Sequence, residues 1–254
     1  MLISQTAQKN HDELFPNHES ALAKTDPEFI EIFDNFTFDE VFQYSNLDVR
    51  LRMKVTLASL IAMQCVNEYK AMMNAALNVG VSAVEIKEIV YQAVPYAGLG
   101  KVFDFLHAIN EVLTERGISL PLEKQGTTTN ENRYEKGLEV VREVAGEAVD
   151  QMLTTMPENQ KHFATFLADN CFGDYFTRNG LTSKERELLI FTMLASMGGA
   201  DAQLKGHIRN NQLVGNEKPL LIETITVLLP FIGYPRTLTA LNCINEILPE
   251  ENEK

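Results

Sequence analysis

Cysteine is scarce in this 254-residue chain. Only Cys65, Cys171 and Cys243 occur. They are far apart and odd in number, which argues against a disulfide framework or a cysteine-based zinc site and suits a reducing compartment. Basic residues are also in short supply: 22 Lys and Arg against 35 Asp and Glu leave a net charge of −13. Such a chain repels phosphate backbones and anionic lipid surfaces, so neither nucleic acid nor membrane is expected as a partner. No apolar run is long enough to span a bilayer. Residues 1–6 lead into polar sequence without the apolar stretch of a secretion signal. The expectation is a soluble, cytoplasmic protein. No segment alternates as a strand does, so the expected class is all-α. Gly98-x-Gly100 and Gly233-x-Pro235 read as helix ends; neither has the Lys-Ser/Thr or strand–helix setting of a phosphate loop.

What the chain has is helical punctuation. Residues 1–28 read as a lead-in, a short helix plus a mobile segment with Pro16 and Pro27 as breakers and with His11 and His18 inside it. Phe29, Phe33 and Phe36 mark an apolar stripe. Residues 50–63 are apolar enough for a buried helix, and a second helix spans 67–78 with Gly80 as its stop. Ser82 and Glu85 form a capping box that opens a helix to about Ala97, and Thr182 and Glu185 form another that opens a helix to Met197. Further helices are expected over 102–114, 133–153 and 236–248, with Asp201 capping one that ends near Gly215 and another ending near Pro230. Residues 117–132, with Pro121 and a Gly126–Asn130 polar run, read as a linker between residues 29–116 and 133–254.

Those two stretches resemble each other. Adding 134 carries Phe29, Phe38, Phe42, Leu47, Arg52, Leu60 and Met63 onto identical residues from Phe163 to Met197. Adding 135 does the same from Lys70, Gly80, Glu88, Pro95 and Gly98 to Ile109, Asn110 and Glu111, ending at Glu246. One inserted residue between Met197 and Lys205 accounts for the change of offset. The chain reads as a helical domain fused to a copy of itself.

The second copy carries Leu181-Thr182-Ser183-Lys184-Glu185-Arg186-Glu187-Leu188-Leu189, then Gln203-Leu204-Lys205-Gly206-His207, then Gly233-Tyr234-Pro235. The first carries Asn67-Glu68-Tyr69-Lys70, residues 80–86 and Tyr96-Ala97-Gly98. In order and spacing these resemble the carboxymuconolactone decarboxylase family, which shares its fold with the alkylhydroperoxidase-D-like proteins. The resemblance implies an all-α tandem duplication that assembles as a homo-oligomer, with a trimer of two-copy chains as the analogue of a hexamer. In the peroxidase branch a glutamate and a histidine serve a Cys-x-x-Cys pair. Glu187 and His207 match the former; the cysteine positions hold Ala200 and Gln203. In the first copy the cysteine positions hold Cys65 and Glu68, while Met53 and Met72 stand where the glutamate and histidine would be. The decarboxylase branch places a glutamate four residues before the histidine, and that position is Gln203.

Gln203 and His207 share a helix face. A histidine exchanges protons near neutral pH, and a carboxylate that reaches it fixes its tautomer and stabilises the imidazolium. His207 and Glu187 are therefore the candidate catalytic pair, with Gln203, Glu68 and Cys65 as candidate substrate binders. Cys171 and Cys243 read as core, as do the methionines. His107 and His162 lack companions at ligand spacing, so no metal is expected, and no cofactor is implied. Three functions compete. The first is cofactor-free acid–base chemistry on a small organic acid or lactone, with Lys205, Arg209 or Arg236 supplying local positive charge. The second is peroxide removal through Cys65, against which the neighbouring Glu68 would act by raising the thiol pKa. The third is a non-catalytic small-molecule binder that kept the fold.

Overall fold

Two helices lack a polar face, and the rest of the chain is wrapped around them. α4 (Val49–Ala62) is buried at every residue from 53 to 62, and α11 (Ser183–Met197) at every residue from 186 to 196. A helix without an exposed face belongs inside a core, and the charges these two carry there, on Lys54, Arg186 and Glu187, are paired. α4 and α11 are equivalent in the two copies and pack on each other. At their contact the Ser196 hydroxyl donates to Ser59 Oγ at 2.8 Å.

The computed structural model describes residues 2–18 and 20–250, with the backbone alone at residue 148. The chain runs α1 (Gln5–Leu14), α2 (Leu22–Thr25), α3 (Pro27–Asn35), a π-helical turn (Phe36–Glu40) and a 3₁₀ turn (Val41–Tyr44), then α4, α5 (Val66–Asn78), α6 (Ala83–Ala97) and α7 (Leu99–Glu115). The second copy repeats the order. It comprises α8 (Arg133–Ala145), α9 (Ala148–Thr155), α10 (Lys161–Phe166), a π-helical stretch (Leu167–Phe176), α11, α12 (Asp201–Leu213) and α13 (Lys218–Ile247). The fold is all-α, and no strand occurs among the described residues.

The duplication extends to the backbone and to single contacts. Gly80 and Gly215 both adopt left-handed φ, at 86° and 82°, to stop α5 and α12. Gly98 and Gly233 do likewise at 87° and 75°. Lys70 pairs with Glu111 at 2.6 Å, and 135 residues later Lys205 pairs with Glu246 at 2.7 Å. Each copy lends a helix to the other: α6 packs on α11 as well as α4, and α13 packs on α4 as well as α11. Lys54, only 6% exposed, bridges Glu85 of one copy and Glu185 of the other.

Both capping boxes form as their residues predict. Elsewhere the structure departs from expectation. The lead-in is docked rather than mobile: α1 packs on the first π-helical turn as α8 packs on the second, and it buries Ala7 and Leu14. Ser4 caps it, and Asn35 Oδ1 accepts from Ser4 N at 2.8 Å. The helix expected over 133–153 is broken at Gly146, whose φ of 63° leaves the right-handed region. Asp201 does not cap α12; it is the first helical residue, and Ala200 stands at the cap without a side-chain bond. Pro230 does not end its helix, which runs on to the break at Gly233, as α6 runs past Pro95 to Gly98.

α8 meets the π-helical stretch Leu167–Phe176 at backbone distance. A Cβ on Gly137 would lie 1.8 Å from the Ala168 carbonyl oxygen, and one on Gly173 would lie 2.2 Å from that of Arg133. Glycine at both positions is what lets this stretch, and Cys171 on it, press inward.

Candidate active site

Glu187 belongs to the buried α11 and is 0% exposed. Beyond α11, Gly198 and Gly199 take successive left-handed conformations, with φ of 70° and 71°. That turn sends α12 back along α11, and the residue inserted relative to the first copy falls within it. The hairpin brings His207 to Glu187, with Nδ1 2.7 Å from Oε2. Asn211, one turn further on α12, fastens the two helices. Its Nδ2 donates to the Glu187 carbonyl at 3.0 Å and to the His207 carbonyl at 2.7 Å. Asn216 Nδ2 in turn donates to Asn211 Oδ1 at 2.8 Å.

An ionised Glu187 can only accept, so Nδ1 carries the proton in this pair, and Nε2 is left to exchange a proton with a substrate. The His207 side chain is 14% exposed, so the ring is held by protein and still reached from outside. Glu187 Oε1 is buried and accepts no hydrogen bond.

The first copy completes the surroundings. Tyr96, near the end of α6, stands edge-on to His207 with ring centroids 5.4 Å apart. Cys171 Sγ donates to Tyr96 Oη at 3.9 Å. Burial pushes the Cys171 thiol up to about 12, with the Glu187 charge adding to it. Burial also raises the Tyr96 hydroxyl well above its usual range, with Cys171 and Glu187 contributing. Both groups are therefore neutral at physiological pH.

Tyr96 is held in place by a buried ionic cluster two turns back on the same face of α6. Glu88 accepts from Arg178 Nε at 3.0 Å and from Arg186 at 3.2 Å, and Gln92 Oε1 accepts from Arg186 at 2.8 Å. Positions 88, 92 and 96 follow the i, i+4 row that faces one partner helix. Arg186 is 0% exposed and adjoins Glu187 in sequence.

The five residues singled out from sequence fall into two groups. His207 and Glu187 meet. Gln203 lies one turn before His207 on α12 and is exposed. Cys65 and Glu68 are elsewhere, on the wall of a cavity of about 430 Å³ in the first copy. Met72, at the His207 position, also lines that cavity, and Met53, at the Glu187 position, is buried. Burial raises the Glu68 carboxyl above its ordinary value. Among the described residues no group of three or more His, Cys, Asp or Glu side chains is arranged to hold a metal ion. Of the three cations expected to draw an anionic substrate, Lys205 is paired with Glu246, Arg209 is exposed on α12, and Arg236 lies over the Gly198 turn in a cleft of about 250 Å³.

Sequence reasoning missed two neighbours of the histidine. Cys171 reads as core, and it is buried, but against Tyr96. Tyr96 was visible only as a family match. A signal for it existed in the repeat: offset 135 pairs Tyr96 with Phe231, so the hydroxyl is present in one copy alone.

Comparison with known proteins accords with this doubled plan. Residues 27–111 and 161–246 each match the carboxymuconolactone decarboxylase family. The chain is 30% identical over 122 residues to the 4-carboxymuconolactone decarboxylase of Acinetobacter baylyi, a match that takes in 48% of this chain and 90% of that one. It superposes with a TM-score of 0.53 and 20% identity on the crystal structure of a chain described as a gamma-carboxymuconolactone decarboxylase subunit from Burkholderia xenovorans, covering 93% of this chain and 95% of that chain. That likeness concerns the fold. No helix among the described residues is long and apolar enough to cross a membrane. With two matches that together take in most of its length, the chain belongs to the carboxymuconolactone decarboxylase family.

Proposed function

We propose that this chain is a cofactor-free acid–base enzyme that decarboxylates a small unsaturated organic acid or lactone, with the second copy's His207 as the proton carrier. The supporting observation is the 2.7 Å contact between His207 Nδ1 and the fully buried Glu187 Oε2. A base whose orientation is fixed by a second group is the arrangement proton transfer requires.

The chemistry follows from that pair. In a γ-lactone acid whose double bond is conjugated with the lactone carbonyl and β,γ to the departing carboxylate, the carbon–carboxylate bond breaks, and its electron pair passes through that double bond into the carbonyl as an enolate. Carbon dioxide leaves. His207, protonated on both nitrogens, delivers the Nε2 proton to the carbon of the enolate system that becomes saturated. One proton is consumed per turnover, and water restores it to the imidazole. Glu187 stabilises the imidazolium, which in low-dielectric surroundings is worth more than in water. Tyr96 walls one side of the ring. Gln203 is the proposed substrate contact at the open edge, and Arg236 is the cation left to meet a carboxylate, since Arg209, two residues past His207, faces away from it.

The reading carries with it a cytoplasmic homo-oligomer. Ile32, Phe163 and Phe166 are 59%, 59% and 58% exposed; apolar surface of this kind fits a second copy of the chain. The peroxide reading gains nothing from the geometry, since neither His207 nor Glu187 lines the cavity that holds Cys65. The test is turnover of γ-lactone acids, followed by loss of ultraviolet absorbance and by release of carbon dioxide. The wild type is expected to turn over at least one of them and His207→Gln none. Equal turnover by the two proteins would remove the proposal.

A further inference from the structure

The first copy has Met72 and Met53 where the second has His207 and Glu187, yet it holds a cavity of about 430 Å³, in the range of small-molecule sites. None of the His207 surroundings lines it. Its walls are aromatic: Phe15, Phe29, Phe33, Phe38 and Phe231 all face it. Phe29 stacks on Phe33 at 6.1 Å, and Phe33 meets Phe38 and Phe231 edge-on at 5.9 and 6.4 Å. The docked N-terminal segment contributes Phe15 together with His11 and His18. Phe231 comes from the second copy, as Tyr96 comes from the first at the other site.

The polar groups in this aromatic box are two acids, Asp34 and Glu68, two histidines, His11 and His18, and Ser20 beside Cys65. Asp34 lines it and is only 9% exposed. Its carboxylate makes no hydrogen bond and no ion pair closer than 4 Å among the described residues. Burial raises its pKa, and the charge of His11 lowers it again. His11 is itself shared, its Nδ1 lying 3.4 Å from Asp12 Oδ1. Glu68 stands at the rim, open to solvent on one side and surrounded by protein on the other. It too has no hydrogen-bond partner among the described residues. Both carboxylates are therefore open to a cationic ligand that enters the cavity.

We propose that the first-copy cavity is a binding site for a small organic amine: an aromatic or apolar body seated among the phenylalanines, with its ammonium group on Asp34 and Glu68. Each element fits that class. Phenylalanine faces attract cations, and a carboxylate takes an ammonium in a charge-assisted bond. The chain's charge of −13 concentrates cations around it. The same two carboxylates repel the organic acids proposed for the His207 site, so the two copies would serve ligands of opposite charge.

The test is isothermal titration calorimetry of the full chain at pH 7.5 with two probes of matched shape and opposite charge, phenethylamine and 3-phenylpropionate. The amine is expected to bind, and the carboxylate at least tenfold more weakly. Asp34→Asn should weaken amine binding at least tenfold and Glu68→Gln severalfold, while His207→Gln should leave it unchanged. That last comparison separates this site from the proposed catalytic one. No heat with the amine at millimolar concentration, equal binding of the carboxylate, or wild-type amine affinity in Asp34→Asn would each overturn the proposal. Should Asp34→Asn lose its helical circular dichroism, the exposed Glu68→Gln decides: wild-type affinity there refutes the site.

Discussion

Glu187→Gln separates a functional charge from a structural one. The substitution keeps the shape of the side chain and exchanges the charged acceptor of the His207 Nδ1 proton for a neutral amide. A hydrogen bond to a charged group is worth about 1.5–3 kcal/mol. Where that bond strengthens as imidazolium forms, its loss falls on the rate, and at about 1.36 kcal/mol per tenfold kcat should drop roughly tenfold to 150-fold. Stability should move the other way or stay still. Glu187 is 0% exposed, and its Oε1 is already without a partner. The fold therefore holds a buried carboxylate with half its acceptor capacity unused, and a neutral amide of the same volume relieves that cost. The assay pairs carbon dioxide release with a thermal melt on the same sample. Lower kcat with an equal or higher Tm is the expected outcome. A variant that melts earlier and turns over at the wild-type rate would show that Glu187 is a packing residue and that the reasoning is wrong.

Three further outcomes follow from contacts outside that pair. Gly137→Ala drives a Cβ to within 1.8 Å of the Ala168 carbonyl oxygen, an overpacking that should cost about 3 kcal/mol or more; Gly100→Ala, with nothing within 4 Å, should be neutral or slightly stabilising, and equal melting of the two variants would refute the close approach. Burial raises the Glu85 carboxyl, but its bonds from Lys54 and Ser82 prevail and hold it down at about 2 against an ordinary 4.5. Because the folded value is the lower one, its contribution of about 3 kcal/mol at most is present above pH 4.5 and is lost as pH falls toward 2. Denaturant titrations from pH 6 to pH 3 should show that loss, and Lys54→Met should shrink it; an unchanged acid limb in that variant would contradict the bridge. Finally, the Cys171 thiol, pushed up to about 12, should resist iodoacetamide at pH 8 while half-buried Cys65 reacts first; mass spectrometry that finds Cys171 labelled as fast in the folded protein would overturn its assignment.

Much of the fold was legible because its signals are local. The offset of 134 or 135 residues, the Ser82–Glu85 and Thr182–Glu185 boxes and the glycines at 80, 98, 215 and 233 each depend on a few neighbouring positions, and each has its expected place in the structure. The meeting of Glu187 and His207 was legible only because the family pattern names both positions. What escaped depends on distant chain. α1 buries two residues, Ala7 and Leu14, too sparse a stripe to tell a docked helix from a loose one. Gly146 breaks a helix whose apolar periodicity continues across it. Tyr96 reaches His207 because Glu88 and Gln92 clamp α6 to Arg178 and Arg186, a contact spanning about ninety residues of sequence. Within one chain Cys65 and Glu68 lie apart from His207, because equivalent positions in two copies are not neighbours in space.

The central claim is that the second copy's imidazole carries the proton that replaces a lost carboxylate. Turnover of a γ-lactone acid in deuterium oxide measures this directly. The wild-type protein should form product with one deuterium on the newly saturated carbon for each carbon dioxide released, and His207→Gln should form neither. Deuterated product from His207→Gln at the wild-type rate would place the proton transfer elsewhere and contradict the account.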